Sequence, residues 1–286
     1  MKKIILIAIA FIGINLEINA QFQGNFVQFF NNETYLNPAF AGTQVSALNL
    51  SAITRADYVG IVQGNMIGAS KALITIDKRF DNKNFGLAAN LNTIKFGNYN
   101  NYDLALNYSY HLNLGKDRKL CMGLKAGGIY KTLTDNLSIK DQVDDVFDPT
   151  MVAGSTFEGV IGAGFAYESE KAYLGVASPQ VIGDLKLTAS GGYKFPVNED
   201  LYIEPNFLIR HVKGYTPKID INTILAKNES FWVGANYSYN NSFAVMAGIY
   251  YKGRLKIGYA FDYNTNLLSG TISHEIMLQW DLEDAL

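Results

Sequence analysis

The sequence predicts an all-β chain that forms a transmembrane antiparallel β-barrel of about 14 strands. Along 231–263, apolar or aromatic residues alternate with small or polar ones, which is the period of two expected for strands with two different faces. The alternating runs are about ten residues long, the length that a tilted strand needs to cross a bilayer. After residue 20 no apolar run reaches the length of a spanning helix. A membrane location therefore requires a closed barrel, because lipid does not tolerate an open sheet edge.

Residues 1–20 are predicted to be a secretory signal peptide. Lys2 and Lys3 precede an unbroken apolar run at 4–14, and Ala20 is a suitable residue before the cleavage point. A retained membrane anchor is the alternative interpretation. The mature chain is therefore predicted to be exported from the cytoplasm.

Residues 21–44 are rich in aromatic side chains and lack clean alternation. They are predicted to form an N-terminal periplasmic or plug-like segment that fills the lumen or caps the periplasmic end of the barrel. A loosely docked N-terminal arm is the alternative. The barrel itself is predicted over 45–286.

The strands follow in order along the chain, and an even count suits a single-chain bacterial barrel. With the N-terminus in the periplasm, the odd-numbered links face outward. The one long gap, 132–156, is the fifth link and is therefore predicted to be external, as long barrel loops are. The strands are predicted at 46–54, 67–77, 85–95, 102–112, 119–131, 157–168, 172–178, 186–195, 201–211, 217–226, 231–239, 243–251, 255–263 and 270–280.

The long link is acidic, which leaves two interpretations open. Clustered carboxylates suit calcium, but an acidic run is more often a solvated surface. The spacing does not match an EF-hand loop, so no metal site is predicted. The link is instead a possible partner-binding loop, through Asp141, Asp144, Asp145 and Asp148.

No catalytic residues and no cofactor are predicted, so the chain is interpreted as a non-enzyme. The three histidines are His111, predicted to face the lumen, His274, predicted to face lipid, and His211. No hydrolase, metalloprotease or nucleotide-binding motif accompanies them. An outer-membrane lipid enzyme would require His111 beside a serine. The single cysteine, Cys121, excludes a disulfide framework.

The charges of the chain nearly balance, with 24 Lys and Arg against 26 Asp and Glu, which argues against nucleic acid as a partner. Charges of both signs are predicted on the inward face. Such a set can pair across a narrow lumen, whereas a selective pore more often carries a ring of one sign. The inward charges are predicted to be Asp103, Lys125, Lys131, Glu158, Glu204, Arg210, Arg254, Lys256, Asp262 and Glu275.

Several motifs resemble those of one family. Asn37-Pro38-Ala39-Phe40-Ala41-Gly42 is similar to the N-P-A-Y-A-G signature of the PorP/SprF proteins, type IX secretion system membrane proteins of the Bacteroidota. Arg55-x-x-Tyr58-x-Gly60 resembles that family's R-x-x-W-x-G segment, with Tyr58 in place of Trp. Ser273-His274-Glu275-Ile276 matches its closing S-H-E-I. Weaker matches, in the same order, occur at 108–111, 218–222, 231–234 and 258–263.

The resemblance implies an outer-membrane β-barrel that works in type IX protein export. It implies that the protein is needed for the export or surface attachment of proteins with a type-B C-terminal sorting domain, including gliding adhesins. The implied partners are that domain, the translocon, the periplasmic components of the system and outer-membrane lipid. External loops, chiefly 132–156 and 55–65, are predicted to form the docking surface. A passive porin or small-solute transporter is the alternative function.

Overall fold

The computed structural model of the 286-residue chain describes residues 26–43, 48–62, 65–80, 83–115, 117–133, 154–183, 185–228, 230–265 and 271–282. The side chains of 58–67 are outside this description. The predicted signal peptide and the four aspartates of the long link also lie outside the described residues.

The described chain forms one antiparallel sheet in which strands adjacent in sequence pair with each other. β1 pairs with β15, with Leu48 opposite Leu282, and β10 pairs with β11, so the sheet closes on itself. The strands are β1 Leu48–Val62, β2 Asn65–Phe80, β3 Phe85–Phe96, β4 Tyr99–Gly115, β5 Arg118–Leu133, β6 Gly154–Glu168, β7 Ala172–Gln180, β8 Lys186–Tyr193, β9 Phe195–Pro196, β10 Leu201–Val212, β11 Lys218–Lys227, β12 Phe231–Ser238, β13 Ser242–Tyr251, β14 Leu255–Asn264 and β15 Ile272–Leu282.

The predicted fold class is confirmed. Fourteen of the described strands form the closed ring, and the two-residue β9 follows β8 and pairs with β10. Each predicted strand falls on an observed one. The observed β1 extends to Val62, eight residues beyond the predicted end at 54, because its alternation of inward and outward side chains continues through Asp57.

The two faces of the strands alternate as predicted. On β12, Phe231, Val233 and Tyr237 point outward and are exposed, whereas Asn236 and Ser238 are buried inside. The inward residues of β12 are otherwise small or polar, but the large side chain of Trp232 also points inward and is only 1% exposed. It fits because Gly248 lies opposite it on β13, where an added Cβ would come within 2.3 Å of the indole nitrogen.

The barrel has two distinct ends. The short links 81–84, 116–117, 169–171, 197–200, 228–230 and 252–254 lie at the end where β1 begins and β15 stops, which we call the turn end. The long link 134–153 connects β5 to β6 at the opposite end, which we call the loop end. Arg254, predicted to face the lumen, is instead exposed in the turn that precedes β14.

Aromatic side chains on the outer surface mark the band that faces lipid. On three strands an outward aromatic near one end is followed eight residues later by another near the other end. Eight residues of a tilted strand rise about 20 Å, close to the roughly 25 Å apolar band of an outer-membrane barrel. The pairs are Tyr102 and Tyr110 on β4, Phe157 and Phe165 on β6, and Phe243 and Tyr251 on β13.

No helix in the described part of the chain is long and apolar enough to span a membrane.

Residues 26–43, which we call the inner segment, lie inside the ring. They form a 3₁₀ turn at Phe29–Asn31, a four-residue helix α1 at Glu33–Leu36 and a second 3₁₀ turn at Pro38–Phe40. The buried apolar clusters of the barrel all include this segment. Phe26 and Val27 pack with Trp232, Phe29 and Leu36 pack with Leu208, and Ala39 and Phe40 pack with Cys121.

We expect Ala247→Arg to destabilise the folded barrel by about 2–4 kcal/mol, because Ala247 points outward on β13, midway between Phe243 and Tyr251, where a charge would meet hydrocarbon. Urea unfolding of the protein in lipid vesicles measures this change. Val181→Arg, in the link after β7, is the control and should cost no more than about 1 kcal/mol, as charges near the interface do. Equal costs for the two variants would place Ala247 outside the lipid band.

Candidate functional site

The hexapeptide 37–42 of the inner segment is held to the barrel wall by hydrogen bonds along its length. Asn37 uses both ends of its amide: Oδ1 accepts a hydrogen bond from the Ala39 N–H at 2.9 Å, and Nδ2 donates to the Phe165 carbonyl at 3.0 Å. Pro38 follows at the first position of the 3₁₀ turn, where the missing N–H is no loss. Asn37 therefore caps the turn and ties it to β6.

Small residues in this hexapeptide allow close contact with the barrel wall. The Ser109 hydroxyl donates to the Ala39 carbonyl at 2.7 Å, and Nε2–H of His111 donates to the Ala41 carbonyl at 2.9 Å. On the neighbouring strand, a Cβ added to Gly123 would lie 2.1 Å from the Ala39 nitrogen. Ser109 and His111 thus hold the inner segment and are directed at its carbonyl groups.

Gly42 ends the hexapeptide with a φ of +70°, a conformation that favours glycine. Its N–H donates to Asp77 Oδ1 at 2.6 Å. Asp77 is 3% exposed and was not among the inward charges predicted from the sequence. This contact directs the chain from the lumen toward the start of β1 at the turn end.

Arg55 is the centre of a buried charge network that joins four strands. Its Nε lies 2.5 Å from Asp57 on β1, Nη2 lies 2.6 Å from Asp262 on β14, and Nη1 lies 3.6 Å from Glu275 on β15. Lys71 on β2 pairs with Asp57 as well. All five side chains are at most 5% exposed.

The network continues into the inner segment through Glu275. Its two carboxylate oxygens accept hydrogen bonds from the backbone N–H groups of Val27, at 2.8 Å, and Gln28, at 2.9 Å. Charged acceptors make such bonds shorter and stronger than neutral ones. Arg55 and Glu275, two motif residues separated by most of the sequence, therefore meet at the point where the inner segment is attached.

His274 lies outside this network, although it is next to Glu275 in the motif. His274 points outward, where its Nδ1 lies 2.7 Å from the Tyr259 hydroxyl. Tyr58 and Gly60 belong to β1, at a place where the pairing of β1 with β2 shifts register. The predicted external loop at 55–65 is wrong, because most of this stretch belongs to β1 and Arg55 and Asp57 are buried in the lumen.

Sequence reasoning missed Asp57, Lys71 and Asp77 as inward charges. Each occupies an inward position of its strand. The signal was present, since continuing the alternation of β1 past 54 assigns Arg55 and Asp57 to the same face as Ser51. The early predicted end of β1 explains why Asp57 was missed, whereas Lys71 and Asp77 lie within the predicted strand 67–77 and follow from its alternation.

Polar side chains hold the inner segment around the whole circumference of the barrel. The donors and acceptors come from β1, β3, β4, β8 and β14. The pairs are Ser51 with Asn32, Asn90 with Thr34, Asn92 and Asp103 with the Tyr35 hydroxyl, Thr188 with the Leu36 carbonyl, and Lys256 with Asn31.

Glu33 of α1 lines a cavity of about 220 Å³ on the turn-end side of the inner segment. Its position deep in the barrel raises the pKa of its carboxyl to about 8, a shift that a hydrogen bond from Tyr173 opposes and that Glu168 and Glu204 increase. The carboxyl is therefore mostly protonated at neutral pH. This lowers the negative charge of the cavity, which also contains Lys194 and Lys256.

Within the described residues, no three His, Cys, Asp or Glu side chains are grouped in a way that could hold a metal ion. The acidic link, where calcium was weighed, is outside those residues.

We expect Arg55→Met to destabilise the protein by about 3–5 kcal/mol, because it leaves the buried carboxylates Asp57, Asp262 and Glu275 without their shared cation. Urea unfolding in lipid vesicles measures the change. Arg118→Met, at an exposed position on β5, is the matched control and should stay within about 0.5 kcal/mol of the wild type. A variant at Arg55 as stable as the control would show that the network contributes little.

Several solved structures are similar to this chain over most of its length. The toluene transporter TodX of P. putida has a TM-score of 0.55 and 9% identity, covering 88% of this chain and 94% of that one. CymD, a monoaromatic hydrocarbon channel, has a TM-score of 0.51 and 10% identity, covering 96% of each chain. Omp33 of Acinetobacter baumannii has a TM-score of 0.50 and 9% identity, covering 83% and 98%. At these identities the likeness shows the fold alone.

A search of curated protein sequences gave no match. The profile of one protein family matches residues 18–280, nearly the whole chain, and is described as type IX secretion system membrane protein PorP/SprF. A membrane protein of this description agrees with the closed 14-strand ring and its lipid-facing surface. The chain is therefore a β-barrel of the outer membrane and belongs to the PorP/SprF family of type IX secretion system membrane proteins.

Proposed function

We propose that this protein is a non-enzymatic docking component of the type IX system. It holds or delivers, at the cell surface, exported proteins that carry a type-B C-terminal sorting domain, such as gliding adhesins. Its periplasmic side works with the translocon and the periplasmic components. The observation that carries this proposal is the inner segment, which occupies the lumen where a porin would have its pathway.

The contacts of the inner segment favour a plug that stays in place. It buries aromatic side chains against the wall, and Glu275 binds two of its backbone N–H groups. The inward charges pair with one another, as Arg55 does with Asp262 and Arg210 does with Asp220 at 3.0 Å. Paired charges of both signs do not form the single-sign ring typical of a selective pore.

The loop end supplies the docking surface in this proposal. β4, β5 and β6 are 17, 16 and 15 residues long and continue beyond the aromatic row of Tyr102, Tyr130 and Phe157. Near this end Lys131 pairs with Glu158 at 2.7 Å and joins β5 to β6. β5 and β6, which the acidic link 134–153 connects, therefore end beyond that row, and the aspartates of the link suit a basic surface on the exported protein.

The porin alternative makes a different prediction for the purified protein. We expect the wild type in a planar lipid bilayer to show no stepwise ion conductance, because the inner segment fills the lumen. A variant that lacks residues 26–43 should conduct if it inserts as a barrel. Steady conductance by the wild type alone would favour the porin interpretation, whether or not the shortened variant folds.

We expect the replacement of Asp141, Asp144, Asp145 and Asp148 by Asn to lower the amount of adhesin displayed on intact cells severalfold. The reason is that the substitutions remove four negative charges from the proposed docking link. Immunofluorescence of unpermeabilised cells measures display, and capture of the tagged barrel from detergent extracts shows whether the adhesin still binds.

The matched control for this link is the pair of changes Glu199→Gln and Asp200→Asn in the turn before β10, at the opposite end of the barrel. It should leave display unchanged. Normal display by the four-fold variant, at a normal level of barrel in the outer membrane, would exclude the acidic link as the docking surface.

A further inference from the structure

A cavity of about 100 Å³, which we call the loop-end cavity, lies between the inner segment and the barrel wall on the loop-end side. Phe26, Tyr35 and Leu36 form its floor, and inward residues from β2 round to β10 form its walls. The docking function proposed above assigns no ligand to these wall residues. Their chemistry indicates a binding site of its own.

Basic side chains outnumber acidic ones around this cavity. Lys71, Lys125, Lys186 and Arg210 line it, and Asp103 is the one carboxylate among the described lining residues. The carboxylates that pair with Lys71 and Arg210 are Asp57 and Asp220, and neither lines this cavity. The side chains that line the loop-end cavity therefore carry more positive than negative charge, although Lys71 and Arg210 are partly compensated from outside it, and their surroundings screen charges poorly.

Lys125 carries a buried positive charge that no nearby carboxylate among the described residues neutralises. It is 4% exposed, and in the described part of the chain no carboxylate lies within ion-pair distance of its ammonium group. The ammonium lies 4.9 Å from the centre of the Tyr35 ring. Asp103 attracts it from a longer distance, while Lys186 repels it. A buried ammonium in this position is favourable only when an anion or ordered water completes its surroundings.

Two further nitrogen atoms point to the same conclusion. Nε of Arg210 and Nδ1 of His211 are buried without a hydrogen-bond partner among the described residues, although Nη2 of Arg210 is bound to Asp220. Acceptor oxygens of Asn101, Asp103 and Gln180 are also without partners there. Buried polar groups are normally satisfied, so the loop-end cavity is built for a polar occupant.

We propose that the loop-end cavity binds a single carboxylate group, with Lys125 and Arg210 as its cationic donors. A singly charged group suits the site because the Asp103 carboxylate would repel a dianion, and because about 100 Å³ holds a carboxylate with a short stem. The carboxylate has two possible sources: a free small organic acid, or the carboxyl terminus of a polypeptide that enters from the loop end.

Isothermal titration of the full-length protein in detergent, in chloride-poor buffer at low ionic strength, tests the proposal. The probes are acetate, an N-acetylated pentapeptide of Gly and Ser with a free carboxyl terminus, and the same peptide with a terminal amide. We expect at least one carboxylate probe to bind and the amide to bind at least tenfold more weakly. Tighter binding of the peptide acid than of acetate identifies a polypeptide terminus as the source, and the reverse order identifies a free acid.

Lys125→Met should weaken carboxylate binding about tenfold or more. Its matched control is Lys194→Met, because Lys194 lines the separate cavity beside Glu33 on the turn-end side, and this variant should leave binding unchanged. Retained mobility of the unheated protein in a gel verifies that each barrel is folded. If Lys125→Met does not fold, Lys186→Met in the same cavity replaces it. Three results would overturn the proposal. The peptide acid and the peptide amide bind equally, neither acetate nor the peptide acid binds, or the variant in the loop-end cavity (Lys125→Met or Lys186→Met) binds as the wild type does.

Discussion

The rest of the structure depends on the rule that backbone N–H and C=O groups facing hydrocarbon must be paired within the protein. The sheet meets this rule by closing through the pairing of β1 with β15 and of β10 with β11. Closure of 14 strands encloses a lumen too wide for the wall side chains alone to fill. The inner segment occupies that space, so its aromatic residues form with the wall the apolar core that an empty barrel would lack.

The polar contacts inside the barrel also provide hydrogen-bond partners for backbone groups, here those of the inner segment. The inner segment is short and irregular, and many of its backbone groups have no partner within the segment. Wall side chains supply those partners: Glu275 for Val27 and Gln28, Ser109 and His111 for the hexapeptide carbonyls, and Asp77 for Gly42. The buried carboxylate Glu275 is tolerated because Arg55 and the two N–H groups compensate its charge together.

The regular part of this architecture could be predicted from the sequence because strand alternation is a local property. Phe231, Val233 and Tyr237 indicate the outward face without reference to any other element. The position of Trp232 could not be predicted in this way, since a large inward side chain depends on Gly248 across the sheet. The meeting of Arg55 with Glu275 likewise follows from ring closure, which brings β1 beside β15.

The inner segment shows where sequence patterns stop being informative. Its helix α1 has four residues, fewer than any periodic pattern needs, and its conformation is set by contacts with the barrel wall, including strands β3 to β7. The aromatic richness of 21–44 indicated burial, but not which wall residue each ring would meet. The hexapeptide was identified by resemblance alone, and its contacts with Ser109, Gly123 and Phe165 supply the physical reason for its small residues.

The position of Glu275 on β15 has a consequence for the order of assembly. Val27 and Gln28 are made early in synthesis, yet the carboxylate that binds them is 247 and 248 residues away. Contacts of such separation form late, because the entropy lost in closing a long loop must be overcome first. The same strand supplies the final seam with β1. The pairing of β15 with β1 and the attachment of the inner segment therefore belong to the same step of assembly. A barrel that has not reached this step would have an open edge between β1 and β15 and an inner segment that is not yet bound to Glu275.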